Sequence, residues 1–328
     1  MTWTGTKVVV TGAGGFIGSH LAERLLELGA ELTAFVRYNS RNHHGFLELL
    51  GPRKKDLRVI SGDVRDLEAV RAAAEGAEVI FHLAALPGIP YSYLHPREVF
   101  EVNATGTLNV LTAARDAACA RIVITSTSEV YGTAQYVPID EGHPRQPQSP
   151  YAASKVAADA VALSFHAAFG LPVAVVRPFN TYGPRQSDRA IIPTIIGQAL
   201  TRDEILLGNL SPTRDFTFVS DTVEGLLQVG ACPAAAGQEV NLGSGQEVSV
   251  ADLAQQIAAV VGRRVSVRQD PARLRPASSE VARLLADNSK VRRLTGWTPR
   301  VSLAEGLRRT VEWVKERLEL YDPGAYRI

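Results

Sequence analysis

KVVVTGAGGFIGSHLAERLLE, from Lys7 to Glu27, is the stretch whose reading decides the fold. Three consecutive valines closed by Thr11 read as a strand covered on both faces. From Phe16 to Leu28 the apolar residues recur at helical spacing. Between the two lies Gly12-Ala-Gly-Gly15-Phe16-Ile17-Gly18. Glycines at 12, 15 and 18 permit a tight turn, close approach of the backbone to a pyrophosphate, and close packing of helix on strand. The helix start then offers unpaired N–H groups and the positive end of its dipole. A glycine triplet alone says little. Its place after a strand and before a helix points to a dinucleotide, with Phe16 and Ile17 in the same turn.

The alternation continues outward. Strands are expected over Glu31–Val36, Leu57–Ser61, Glu78–His82, Arg121–Thr125 and Pro172–Arg177, with helices over Leu67–Ala74, Val99–Ala117 and Tyr151–Phe169. Val/Ile-rich runs spaced by helices predict a doubly wound α/β fold with a parallel sheet. After Arg177 the rhythm changes: Pro and Gly cluster at 177–184 and 207–214, and helices recur at Asp221–Val229, Val250–Val261 and Ser302–Glu316. The reading is a dinucleotide-binding Rossmann domain over 1–177, rejoined by 215–245, and a smaller, interleaved C-terminal substrate-binding region over 178–214 and 246–328. Ligands are expected at the carboxyl ends of the strands.

Composition narrows the function classes. Of 328 residues, 45% are hydrophobic and 21% charged, which excludes a disordered chain. Thirty-five basic against 34 acidic residues leave a net charge of +1, so no general attraction to nucleic acid is expected. The start lacks the basic and apolar regions of a signal peptide, and no apolar run approaches the ~18 residues of a membrane span. Cys119 and Cys232 are too few for a disulfide scaffold and read as spectators in a reducing compartment. A cytoplasmic protein is expected. Adjacent His43 and His44 point apart and no ligand spacing matches them, so no metal is expected. His82, ending a buried strand, reads as a satisfied core residue.

The second strand ends in Ala34-Phe-Val-Arg37-Tyr-Asn39-Ser40-Arg41, with no carboxylate in reach along the chain. Two guanidiniums and the Ser40 hydroxyl suit the 2′-phosphate of NADP, favoured here over NAD, and Asn39 is grouped with them. The other reading stacks Arg37 on the adenine. Beyond the third strand, Asp63, followed by Val64, suits the adenine amino group; beyond the fourth, Leu83, Ala84 and Ala85 leave room for a ribose. Tyr151 and Lys155, four apart, share one helical face. A phenol titrates near 10, and a neighbouring ammonium favours its phenolate, making Tyr151 a candidate base. Upstream, Thr125-Ser-Thr127-Ser128-Glu129 places hydroxyls and one carboxylate at a strand's carboxyl end.

With TGAGGFIG, STSEVYG, SPYAASK, RPFNTYGPR (177–185), PTRDFTFVSD (212–221) and NLGSG (241–245), the chain resembles the extended short-chain dehydrogenase/reductase family over essentially its whole length. It is similar to the NAD(P)-dependent nucleotide-sugar epimerase, dehydratase and decarboxylase branch. Within it, FVRYNSRN (35–42), IPYSY (89–93) and LRPASSEVARLLADNSK (274–290) resemble 4,6-dehydratases acting on GDP-N-acetylglucosamine, of the legionaminic acid type, and GDP-mannose 4,6-dehydratases. The resemblance implies that Tyr151, helped by Lys155 and Thr127, deprotonates the sugar 4-OH while C4 gives up hydride to a retained nicotinamide. Glu129 then removes the C5 proton, water leaves C6, and hydride returns to C6. It also implies Asn180 on the sugar diphosphate, Arg214 and Arg275 on the nucleotide ribose and phosphates, and a homodimer through the helices near 99–117 and 151–169. Ser128 departs from the dTDP-glucose dehydratases, which carry an acid there. UDP-glucuronate decarboxylases share Thr-Ser-Glu, with basic residues orienting the carboxylate, a role open to Arg185, Arg273 or Arg275, for which diphosphate binding is the favoured reading; 4-epimerases share the C4 oxidation. A non-catalytic dinucleotide sensor is the reading from another class. Glu280 reads as a solvated surface residue in preference to an acceptor for a guanine edge.

Overall fold

A computed structural model describes residues 2–321. Seven strands form one wholly parallel sheet in the order Glu239–Leu242, Val173–Pro178, Arg121–Thr125, Val79–His82, Lys7–Thr11, Glu31–Arg37, Leu57–Gly62. The first three strands in the chain build outward to one edge; the fourth returns to the other side of Lys7–Thr11. That reversal opens a crevice over the carboxyl ends of Lys7–Thr11 and Val79–His82. The valines explain the apolar run. Val8 and Val10 pack into the core under helices Phe16–Glu27 and Val219–Ala231, and Val9 into the core under Leu67–Ala74, Gly106–Asp116 and Pro150–Phe169.

The helix expected over Val99–Ala117 begins earlier and is not uniform. It runs as Pro96–Phe100, widens to π geometry over Glu101–Thr105, and continues as Gly106–Asp116. Such a bulge re-aims side chains within a helix.

The region after the sixth strand contains short strands that the sequence did not announce. Thr213–Phe218 pairs with Asn180–Tyr182, Glu247–Ser249 and Arg283–Leu284, and Glu204–Leu207 pairs with Ser266–Gln269. Helices Ile191–Thr201, Val250–Val261 and Leu303–Glu316 pack together beside them. Arg214 and Asp215 sit inside the Thr213–Phe218 strand, where charge argues against burial. Asp215 earns its place by hydrogen bonding: its carboxylate accepts from Ser244 N (2.7 Å), Ser244 Oγ (2.6 Å), Gly245 N (2.9 Å) and Ala286 N (3.2 Å). It thereby clamps two loops to the strand, and Gly243 is required because a Cβ there would collide with Ala286.

Trp297 anchors the C-terminal segment onto Val219–Ala231. It is 2% exposed and donates Nε1–H to the Asp221 carbonyl at 2.9 Å, while the Asp221 carboxylate accepts from Arg300 N and Val301 N. Trp297→Ala removes a fully buried ring and orphans a carbonyl. We expect it to cost about 3–5 kcal/mol, read as a lower midpoint in urea unfolding.

Candidate active site

The glycine turn leaves no room for side chains. Gly12 has φ +70°, and a Cβ there would lie 2.8 Å from Ala84 N. A Cβ on Gly18 would collide with the Gly12 carbonyl, while Gly15 N donates to that carbonyl at 3.0 Å. Gly15 caps helix Phe16–Glu27 without any side-chain bond, and no acidic residue occupies the first turn. The first-turn N–H groups therefore face the crevice uncapped, a cradle that fits a diphosphate. Phe16 and Ile17 are half-buried against the core. Gly14 was not singled out from sequence, yet Phe46 N donates to its carbonyl at 2.9 Å and a Cβ on it would lie 2.6 Å from the His44 carbonyl. The segment His44–Phe46 closes over the turn.

At the end of Glu31–Arg37, the expectation that no carboxylate is in reach is corrected. Glu98, arriving on helix Pro96–Phe100, lies 3.9 Å from Arg37 Nη2 and accepts from the Tyr91 hydroxyl at 2.6 Å. Arg37 itself remains mostly exposed, as does Ser40. The Asn39 side chain is spent on its own loop: it accepts from Arg41 N and His43 N and donates to the His43 carbonyl at 2.7 Å. Asp63 is gripped by Arg65, whose side chain donates at 3.0 and 2.7 Å and holds the carboxyl below its usual range. Val64 is buried beneath Gly106, and Leu83, Ala84 and Ala85 line the end of the fourth strand.

Tyr151 and Lys155 project from one face of helix Pro150–Phe169, whose N-cap is the Ser149 hydroxyl. Burial pushes the Tyr151 phenol up; the Thr127 hydroxyl bonded to it opposes this, and the Glu129 and Asp159 charges add to it. Lys155 Nζ donates to the Thr125 carbonyl at 2.7 Å, and burial lowers its ammonium to about 8. Thr127 caps the turn Ser128–Tyr131, its Oγ1 accepting from Glu129 N at 3.2 Å. The turn buries Ser128 and leaves Glu129 half-buried, where its charge acts on both Tyr151 and Arg214. Sequence reasoning missed Asn103. In the π turn its side chain accepts from Leu86 N at 2.8 Å and donates to Ser154 Oγ at 2.9 Å, and Ser154 Oγ donates to the Tyr151 carbonyl. A polar residue on the apolar face of Val99–Ala117 was the available signal.

On the opposite wall, Asn180 Oδ1 is buried with no hydrogen-bond partner. Arg214 donates to Glu280 at 3.4 Å, and Arg275 lies 3.9 Å from the same oxygen. Glu280 is thus not a solvated surface residue; its side chain is 19% exposed between two guanidiniums. Arg185 is drawn away from this cluster, donating to Glu23 at 2.6 Å and to Ser19. Arg273 pairs with Asp270.

The family model described as GDP-mannose 4,6 dehydratase matches residues 9–310. A UDP-glucose 4-epimerase of Mycolicibacterium smegmatis is 35% identical, covering 95% of this chain and 99% of its own. A UDP-N-acetyl-alpha-D-glucosaminuronate decarboxylase of Bacillus cytotoxicus is 32% identical, with 94% and 98% covered. The dTDP-glucose 4,6-dehydratase of Streptomyces venezuelae, solved with NAD bound, superposes with a TM-score of 0.88 at 31% identity, covering 96% of this chain and 99% of that one. The chain belongs to the extended short-chain dehydrogenase/reductases, in their nucleotide-sugar dehydratase and epimerase branch. Its fold is the Rossmann-like one of that family.

In this short-chain dehydrogenase/reductase no helix among the described residues is long and apolar enough to cross a membrane, and no cluster of three metal-ligating side chains forms. Four polar residues, Thr11, His82, Thr107 and Asn103, join the end of the first strand to the π-widened helix. Thr11 Oγ1 accepts from Leu83 N and Ala84 N at 3.2 Å and meets His82 Nδ1 at 2.7 Å; His82 Nε2 meets Thr107 Oγ1 at 3.1 Å. Thr107 in turn donates to the Asn103 carbonyl, a set consistent with a neutral His82 carrying its proton on Nε2. Burial, with a smaller contribution from the Lys155 charge, depresses His82 to about 3. The unfolded chain then binds one more proton than the folded one between about pH 3 and 6.5, so stability falls as pH drops through that window. We expect His82→Gln to remove about 1 kcal/mol per pH unit from the acid slope, measured by urea unfolding at pH 4 to 7.

Proposed function

We propose that the chain is a nucleotide-sugar 4,6-dehydratase. The observation that carries this reading is Glu129, a half-buried carboxylate whose charge reaches both Tyr151 and Arg214. A bound NAD or NADP supplies a hydride acceptor at C4 and the same hydride for C6. The uncapped first turn beyond Gly12, Gly15 and Gly18 fits its diphosphate. Arg37 and Ser40 support NADP, whereas Glu98, the carboxylate beside Arg37, supports NAD. Tyr151 removes the C4 hydroxyl proton, with Thr127 bonded beside it and Lys155 favouring the phenolate. Once C4 is a ketone, the C5 proton is acidic, and Glu129 takes it. With Ser128 unable to act as an acid, Glu129 also returns a proton to the departing C6 hydroxyl. Asn180, Arg214 and Arg275 hold the diphosphate, Asn180 by donating its side-chain amide N–H to a phosphate oxygen.

The relatives make decarboxylation of a uronate and 4-epimerisation the second reading, through the same C4 oxidation. Arg185, Arg273 and Arg275 each already stand beside a carboxylate, Glu23, Asp270 and Glu280, which supports dehydration over decarboxylation. The dinucleotide-binding unit is read as 1–177 with 215–245, and the substrate region as 178–214 with 246–328. The free cysteines support a cytoplasmic setting.

Mass spectrometry of products from GDP-mannose, GDP- and UDP-N-acetylglucosamine, dTDP-glucose and UDP-glucuronate, each with NADP and NAD, tests the reading. Dehydration removes one water from the hexose; loss of carbon dioxide from the uronate, or an isomer of unchanged mass, overturns it. Tyr151→Phe is expected to lower turnover at least ~100-fold while leaving cofactor binding intact. In Glu129→Gln, we expect transient C4 oxidation, seen as reduced nicotinamide absorbance, without water loss; retained dehydration overturns the mechanism.

We also propose a homodimer. Phe100 and Leu108 stand 48% and 40% exposed on the helix over 96–116, beside the exposed Ala153 and Ala160 of Pro150–Phe169. Leu108→Glu is expected to shift sedimentation from dimer toward monomer; an unchanged species overturns this surface.

A further inference from the structure

Behind Lys155 lies a chain of charges that the proposed chemistry does not use. Asp159, one helical turn beyond Lys155 and two beyond Tyr151, shares their face and is fully buried. Its Oδ2 accepts from Arg177 Nη2 at 2.9 Å and Nε at 3.1 Å. Arg177, also fully buried, donates in addition to the Tyr131 hydroxyl at 2.9 Å and to Glu239, which Arg145 grips from the other side. The signs alternate from Lys155 through Asp159, Arg177 and Glu239 to Arg145.

That alternation matters. Arg177 alone would neutralise Asp159; with Glu239 engaging the same guanidinium, the field of Asp159 remains available to Lys155. The Ser126 hydroxyl also lies at the Asp159 carboxylate and, like Arg177, favours its charged form. A buried carboxylate one turn from a buried ammonium is costly unless the two charges support each other.

We propose that Asp159, held by Arg177, is a positioning residue that keeps Lys155 an ammonium against the Tyr151 hydroxyl. The groups facing Lys155 are the Thr125 carbonyl from Arg121–Thr125, His82 from Val79–His82, and Asp159 from its own helix, with Arg177 of Val173–Pro178 behind Asp159 and Tyr151 on the same helical face. Neutral His82 contributes no charge. Burial drives the ammonium toward its neutral form, and Asp159 is the group that opposes this. Arg177 likewise counters the burial that pushes the Asp159 carboxyl up. Without Asp159, Lys155 loses its proton at lower pH, and the phenolate loses its stabilising charge.

The inference rests on the dehydrogenase chemistry proposed above, and its test separates the two. The chain has six lysines, so the full-length protein labelled with 13Cε-lysine gives a resolvable spectrum, in which Lys155 is assigned by its loss in Lys155→Met. In Asp159→Asn we expect the Lys155 midpoint to fall by about one pH unit or more, and Asp159→Glu to restore it. The alkaline limb of turnover, followed with the sugar nucleotide from the panel that gives product, is expected to move to lower pH with it; the direct push of Asp159 on the Tyr151 phenol is lost too, so the two shifts share a direction and not a size. An unmoved Lys155 midpoint in folded Asp159→Asn overturns the proposal, as does a moved midpoint with an unmoved limb. If no sugar turns over, the proposed function fails while the titration still decides whether Asp159 charges Lys155. Should Asp159→Asn fail to fold by circular dichroism, Asp159→Asn/Arg177→Gln leaves neither charge of the pair unopposed, and the same downward shift is expected.

Discussion

The meeting of two strand ends without room for a side chain is the constraint on which the rest depends. The Gly12 backbone passes so close to Leu83 and Ala84 that a single Cβ would overlap main-chain atoms. This contact lies where the sheet reverses direction, between Lys7–Thr11 and Val79–His82. It brings an uncapped helix start to the crevice and sets the depth at which any bound diphosphate lies. The fourth strand's end, the π-widened helix and the catalytic helix all take their positions from it.

Polar side chains carry that positioning across the core. From Thr11 the contacts run through His82 to Thr107 and Asn103, and from the Asn103 amide through Ser154 to the Tyr151 backbone. Each bond is worth about 1 kcal/mol net, but each member left unpaired in the core costs more, so the chain holds one arrangement. The glycine turn and the proposed base are thereby parts of one rigid object. The alternating charges behind Lys155 extend it toward Glu239 on the edge strand.

The opposite wall is assembled differently. Arg214, Arg275 and Glu280 converge from the Thr213–Phe218 strand and the loop ahead of Arg283–Leu284. Asp215 clamps the strand, and Tyr93, Ser279 and Gln148 tie the loop to the catalytic side. A crevice closed by such a strap can present guanidiniums to a diphosphate while keeping them paired by Glu280.

Local physics determined much of this protein. Glycines that tolerate a tight turn, valine runs that must be covered on both faces, and helical spacing after each run specify the parallel sheet and the first helix without any distant contact. The same holds for Tyr151 and Lys155, because four residues on one helix are neighbours wherever the helix lies. Tertiary structure alone decided what those residues meet. Glu98 reaches Arg37 from another helix, Glu23 captures Arg185, and Glu280 sits between arginines sixty and more residues distant or nearly adjacent. The short strands around Arg214 and Asp215 escaped sequence reading because charge inside a strand is tolerated only where partners from other loops satisfy it. Periodicity is written along the chain; the partner of a buried charge is a matter of which segments fold against each other.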